Sequence, residues 1–188
     1  MANMMFDWLD IDEPTQNYLR YESLSANAAA LYYRTTKEVR SLLTERGLSI
    51  PALVVMTRDD SVIDPDGVLG LFENHFTAPN SRFVWYGQNP QSMDSRVIVK
   101  TSSIPDLQIS NFSHLSVMFS AENSYYGRNG SFLMLENGQQ TAPGNVPRSD
   151  LWFSAYEYNE PGKYHARLTW NPYFEELVSS MKDIILKQ

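Results

Sequence analysis

The residues best placed to do chemistry lie where an apolar run meets acid. Ile50-Pro51-Ala52-Leu53-Val54-Val55-Met56-Thr57 leads through Arg58 to Asp59 and Asp60, followed by a polar turn and Asp64-Pro65. Such a β-branched run reads as a buried strand that delivers its carboxylates to the carboxyl end, where open α/β sheets place their chemistry. One further strand pattern later comes a candidate base, His114, in Asn111-Phe112-Ser113-His114-Leu115-Ser116. A carboxylate and an imidazole are two of the three parts of nucleophilic acyl transfer. The carboxylate fixes the tautomer of the base and stabilises its cation, and the base takes the proton of a hydroxyl nucleophile. The third part is missing, because no Gly-x-Ser-x-Gly elbow occurs in the chain. Ser61, Ser113 and Ser116 lie near the acid and the base in sequence, but Ser113 adjoins His114, and neighbouring side chains on extended backbone diverge. The plainer alternatives are aspartates that cap a strand-to-helix turn and a histidine that is structural.

Other chemistries find little support. His75 sits at a predicted helix end, where a cation suits the dipole, and His165 falls in a strand-like run. The three histidines lack metal-ligand spacing, so no metal is expected. Gly127-Arg128-Asn129-Gly130 lacks the strand and helix that a phosphate-binding loop requires, and no cofactor is expected. The 188 residues carry a net charge of −7 and no basic run, which argues against a nucleic-acid partner. Zero cysteines exclude disulfides, thiolate metal sites and cysteine nucleophiles. No stretch approaches the ~20 apolar residues of a transmembrane segment. Met1–Trp8 lacks a basic region before an apolar core, so no signal peptide is read there. The expected compartment is cytoplasmic, or periplasmic if an upstream signal has been removed.

The elements that must position the acid and base follow from periodicity. Ser25–Arg46 reads as an amphipathic helix with Ser23 or Ser25 as N-cap and Gly47 as left-handed C-cap, its apolar side running through Leu31, Tyr32, Val39, Leu42 and Leu43. The strand Ala52–Thr57 follows, then a helix capped by Asp64 and begun by Pro65, with Val68, Leu71, Phe72 and Phe76 facing inward. Arg82–Tyr86 is a second strand, and Arg96–Lys100 a third or an edge hairpin. Short connections make the first two strands parallel. Ser120–Gly162 reads as mostly irregular, with Leu151–Tyr158 and Lys163–Trp170 pairing around Asn159-Glu160-Pro161-Gly162. Asn171 caps a last helix started by Pro172, with Phe174, Leu177, Val178, Met181, Ile184 and Ile185 as its apolar stripe.

Asp59-Asp60-Ser61-Val62-Ile63-Asp64 resembles the acid turn of the α/β-hydrolase superfamily, in which an apolar strand is followed by Asp, a small residue and Val-Val or Val-Ile. Ser113-His114-Leu115-Ser116 and Asn123-Ser124-Tyr125-Tyr126-Gly127 resemble the histidine segment of its bacterial esterase or lysophospholipase-like members, with Ser124 where those carry proline. Arg167–Phe174 is similar to their entry into the final helix, so the resemblance runs from about Tyr18 to the C-terminus. It implies the C-terminal part of an α/β fold, with parallel strands, flanking helices and a loop-rich segment. Asp60 is then the triad acid and His114 the base of a hydrolase of carboxylic esters, acyl lipids or lysophospholipid-like substrates among them. The nucleophile is expected from a missing N-terminal half, so the chain alone is expected to be inactive. Residues 1–48 would be a helical cap-like segment whose aromatics Trp8, Tyr18, Tyr21, Tyr32 and Tyr33 line an acyl pocket, and 49–188 the catalytic half. The abrupt start at Phe6, Trp8 and Leu9 reads as a cut through a fold. An unpaired edge on the strand Ala52–Thr57 would favour a homodimer or the missing half as partner. The alternative is a non-catalytic remnant that serves as a dimeric or partner-binding module.

Overall fold

The computed structural model describes residues 26–138, 140–141 and 145–186. The chain divides into two units, Met1–Gly47 and Leu48–Gln188. Helix α1 spans Ala26–Arg46 in the first. It ends as the sequence requires: Gly47 has φ +65° and donates its N–H to the Leu43 carbonyl at 2.8 Å. Leu31, Tyr32, Tyr33, Val39 and Leu42 on this helix are exposed. Ser23, Ser25, Trp8, Tyr18 and Tyr21 lie outside the described residues.

The second unit is mixed α/β. Strands β1 (Leu53–Thr57), β2 (Arg82–Tyr86) and β3 (Val97–Lys100) form a parallel sheet in that order, with Leu53 opposite Arg82 and Phe83 opposite Val97. The third strand is therefore a parallel edge and not a hairpin. Helix α2 (Pro65–His75) crosses from β1 to β2. Asp64 caps it by accepting the Gly67 N–H at 3.1 Å, and Pro65 begins it.

Period-two alternation sorts the sheet residues into two cores. Phe83, Trp85 and Met56 pack with Leu69 and Phe72 under α2. Val84 and Tyr86 face the opposite side and join Ile109, Phe112, Phe153, Ala166, Leu168, Trp170 and Leu177. Helix α3 (Phe174–Leu186) closes that side. Asn171 starts it, accepting the Tyr173 N–H at 2.9 Å while its amide donates to the Tyr86 hydroxyl at 3.0 Å. Only part of the predicted stripe is covered: Leu177 and Ile184 are buried, whereas Met181 and Ile185 are exposed.

The loop-rich segment holds a two-residue hairpin, β4 (Glu136–Asn137) with β5 (Gln140–Thr141), and the pair β6 (Leu151–Ser154) and β7 (Tyr164–Arg167). The pairing of these last two runs is parallel, Leu151 opposite Tyr164, not the hairpin suggested by Asn159–Gly162. The turn exists, since Lys163 donates its N–H to the Glu160 carbonyl and Gly162 has φ +82°. It does not set the direction, because β6 is already bound lengthwise to Gln108–Ser110 through Phe153, and β7 is held from its other side by the Met134 carbonyl.

Candidate functional site

Two loops bring the predicted acid and base together. Thr57, fully buried at the end of β1, donates its hydroxyl to the Phe112 carbonyl at 3.0 Å, which ties the strand end to the segment before His114. The Phe112 ring packs 4.9 Å from Tyr86, fixing that segment over the end of β2. His114 then opens a short 3-10 turn, His114–Val117. Ser113 caps that turn by accepting the Leu115 N–H at 3.1 Å, and Ser116 donates to the Ser113 carbonyl at 2.6 Å. Both serines are buried and serve the turn itself.

Asp60 sits in the loop between β1 and α2. Its Oδ1 accepts the N–H groups of Val62 at 2.8 Å and Ile63 at 3.0 Å, so the carboxylate is aimed by its own turn. The same Oδ1 lies 3.8 Å from Nδ1 of His114, too long for a hydrogen bond but within ion-pair reach. The Asp60 side chain is 7% exposed and that of His114 29%. With Nδ1 turned to Asp60, Nε2 sits on the far side of the ring. Val62, two residues after Asp60, and Met118, after the His114–Val117 turn, are each 71% exposed.

Comparison with family models, curated proteins and solved structures finds no match.

The neighbouring carboxylate has other company. Asp59 lines a cavity of about 380 Å³ over the carboxyl ends of all three parallel strands. Burial pushes its carboxyl above the ordinary range, against the downward pull of a hydrogen bond from Asn111 and the charge of Arg58. Asn111 is held in turn, its Oδ1 accepting the Ala155 N–H at 2.9 Å. Gly87 follows β2 with φ +154°, and a Cβ there would stand 2.6 Å from that of Arg58, so only glycine lets the wall close.

One contact between a hydroxyl and an imidazole escaped the sequence. Ser110, on the wall of this cavity, places Oγ 3.1 Å from Nε2 of His165, a residue set aside as part of a strand. His165 is indeed in β7, and burial lowers its pKa against the opposing influence of Glu160. Its buried Nδ1 has no hydrogen-bond partner among the described residues, so no carboxylate holds the ring in the base tautomer. Serine and histidine are far apart in the chain and only the lateral pairing of β6 with Gln108–Ser110 joins them. No local pattern signals that.

His75 closes α2 as expected. Among the described residues no cluster of His, Asp or Glu could hold a metal, and no helix is long and apolar enough to cross a membrane. The Asn123–Gly130 segment is a folded loop. Asn123 Oδ1 accepts the N–H groups of Tyr125 and Tyr126, and a Cβ at Gly127 would collide with the carbonyls of Asn123 and Ala121.

Proposed function

We propose that Asp60 and His114 are the acid and base of a serine hydrolase that acts on carboxylic esters, and that the nucleophile comes from outside the present 188 residues. The observation that carries this reading is Nδ1 of His114 facing Oδ1 of Asp60 at 3.8 Å, at the carboxyl end of a parallel strand. In the reaction, Nε2 of His114 takes the proton of the attacking serine hydroxyl and returns it to the leaving alcohol. Asp60 holds the proton on Nδ1 and stabilises the imidazolium; the pair closes to about 2.8 Å as charge develops. An acyl ester is the substrate class that the resemblance implies.

The second reading, a partner-binding module, rests on the edge of β1. Arg82 N–H bonds to the Ala52 carbonyl and Arg58 N–H to that of Tyr86. This phase turns the N–H and C=O groups of Leu53 and Val55 away from β2. The edge sequence Leu-Val-Val-Met-Thr carries no charge and no proline, the devices that usually protect an edge. A strand from another polypeptide fits there, and in the first reading that polypeptide brings the serine.

Nitrogen NMR of the His114 ring tests the pair directly. The expected state is a proton on Nδ1, displaced by Asp60→Asn. A ring protonated on Nε2 in the unaltered chain, with no response to Asp60→Asn, removes the acid–base assignment. The chain alone is expected neither to hydrolyse p-nitrophenyl esters nor to react with a fluorophosphonate. A labelled serine within these residues would overturn the external nucleophile while leaving the pair intact.

A further inference from the structure

The cavity beside Asp59 is built unlike an acyl pocket. It is bounded by the loops that follow β1, β2 and β3, the place where open α/β sheets hold ligands, and neither Asp60 nor His114 lines it. Its 380 Å³ suits a small molecule. Among the described residues no aliphatic or aromatic side chain lines it. Hydroxyls come from Thr101, Ser102, Ser103 and Ser110, and amides from Gln88 and Asn111. An apolar ligand would dehydrate these groups and return nothing to them.

Two side chains offer polar atoms to a guest in the cavity. Ser102 lines it, and its hydroxyl makes no hydrogen bond with any described residue, so the oxygen faces the cavity's solvent. Asp59 is anchored by Asn111 and keeps acceptor positions free, because a carboxylate has about four lone-pair sites.

Charge then selects the guest. Arg58 and Asp59 are the charged residues of the lining and cancel each other. Arg58 is already engaged through Nη1 with Gln88 Oε1 at 3.0 Å. An anion would face Asp59 within a chain of net charge −7, and a cation would face Arg58. A neutral molecule with adjacent hydroxyls meets neither penalty. Hydroxyls can both donate to a carboxylate such as that of Asp59 and accept from hydroxyls such as those of the lining serines. We propose that this cavity is a binding site for a small neutral polyol, with Asp59 and Ser102 as its principal contacts. The site is separate from the proposed acid–base pair and stands whether or not that pair is catalytic. Without an aromatic platform the expected dissociation constant is on the order of a millimolar.

The test is a titration of the full chain with glycerol, myo-inositol and D-glucose, followed by backbone amide NMR, with glycerol 3-phosphate as the anionic comparator. At least one polyol is expected to give saturable shifts at Gly87, Ser102 and Ser103. Asp59→Asn and Ser102→Ala should each weaken binding, the former about tenfold, and His114→Ala should leave it unchanged. Asp59→Asn should not unfold the chain, since it removes a half-buried carboxylate, and its denaturation midpoint at neutral pH should equal or exceed that of the parent. Three results would each refute the proposal: no saturable shift with any of the polyols, tighter binding of glycerol 3-phosphate than of glycerol, or affinity unaffected by Asp59→Asn.

Discussion

Thr57→Val removes one hydroxyl and nearly nothing else, and it removes it from the joint that brings Asp60 toward His114. The Thr57 hydroxyl donates to the Phe112 carbonyl at 3.0 Å, and both residues are fully buried. Valine fills the same space without a donor, so the carbonyl loses its partner in a place that water does not reach. A buried polar group deprived of its partner costs about 1–3 kcal/mol. The hydroxyl also stands 3.4 Å from the Asp59 N–H, a weak contact that adds little. Thr57→Ser is the matching control. It keeps the hydrogen bond and loses one buried methyl, a change worth about 0.5–1.5 kcal/mol. Urea denaturation followed by tryptophan fluorescence should therefore rank the parent above Thr57→Ser and Thr57→Ser above Thr57→Val, with an unchanged slope. In Thr57→Val the His114 ring resonances should also shift, because the segment that carries the imidazole is no longer pinned to β1. If Thr57→Ser is the more damaging of the two, packing and not the hydrogen bond holds the joint, and the account of how the pair is assembled is wrong.

Two further predictions concern the scaffold. Burial lowers the pKa of His165, so the folded state binds a proton less readily than the unfolded chain; its contribution to stability is complete above the unfolded value of about 6.5 and is lost as pH falls through the folded value. Stability should thus rise with pH on the approach to neutrality, and His165→Gln should flatten that part of the profile when midpoints are compared across pH; an unchanged profile would mean that His165 does not titrate with folding. Gly70→Ala should stabilise the chain by about 0.5–1 kcal/mol in thermal or urea denaturation, since Gly70 lies in α2 with no atom within 4 Å of a Cβ there, whereas Gly127→Ala should destabilise it by about 1–3 kcal/mol through collision with backbone carbonyls.

What could be read from the sequence was local. The cap and proline that begin α2 and the glycine that ends α1 act within a few residues, and each is found at its predicted position. The three strands of the main sheet likewise announce themselves by β-branched and aromatic runs. The direction of β7 did not, because the turn residues Asn159–Gly162 fit a hairpin as well as any other reversal. The direction goes with Phe153, whose backbone is bonded to Gln108 and Ser110 on one side of β6 while β7 lies on the other. Faces were the other weak point. The stripes of α1 and α3 are legible as periodicity, but periodicity says which residues share a side, not whether anything covers it. Met181 and Leu42 are left exposed for that reason. The contact of Ser110 with His165 follows from the same long-range pairing and had no local signal.

The two aspartates at the end of β1 show how one strand terminus can serve two places. Adjacent residues at a strand end face different directions, so Asp59 is expected to point away from Asp60, and their surroundings differ accordingly. Thr57 fixes the last turn of the strand from below, and beyond it the chain begins to curl toward α2. Asp60 falls within that curl, and the amides of Val62 and Ile63 hold its Oδ1 on the side where the segment tied to Thr57 presents His114. Asp59, one residue earlier, takes the other direction, over the sheet, where Asn111 meets it. Asn111 and His114 themselves belong to one short segment, so a single crossing of two loops places both carboxylates. The consequence is physical separation with shared support. A change to either carboxylate alone should leave the partner of the other in place, whereas a change to Thr57 should disturb both.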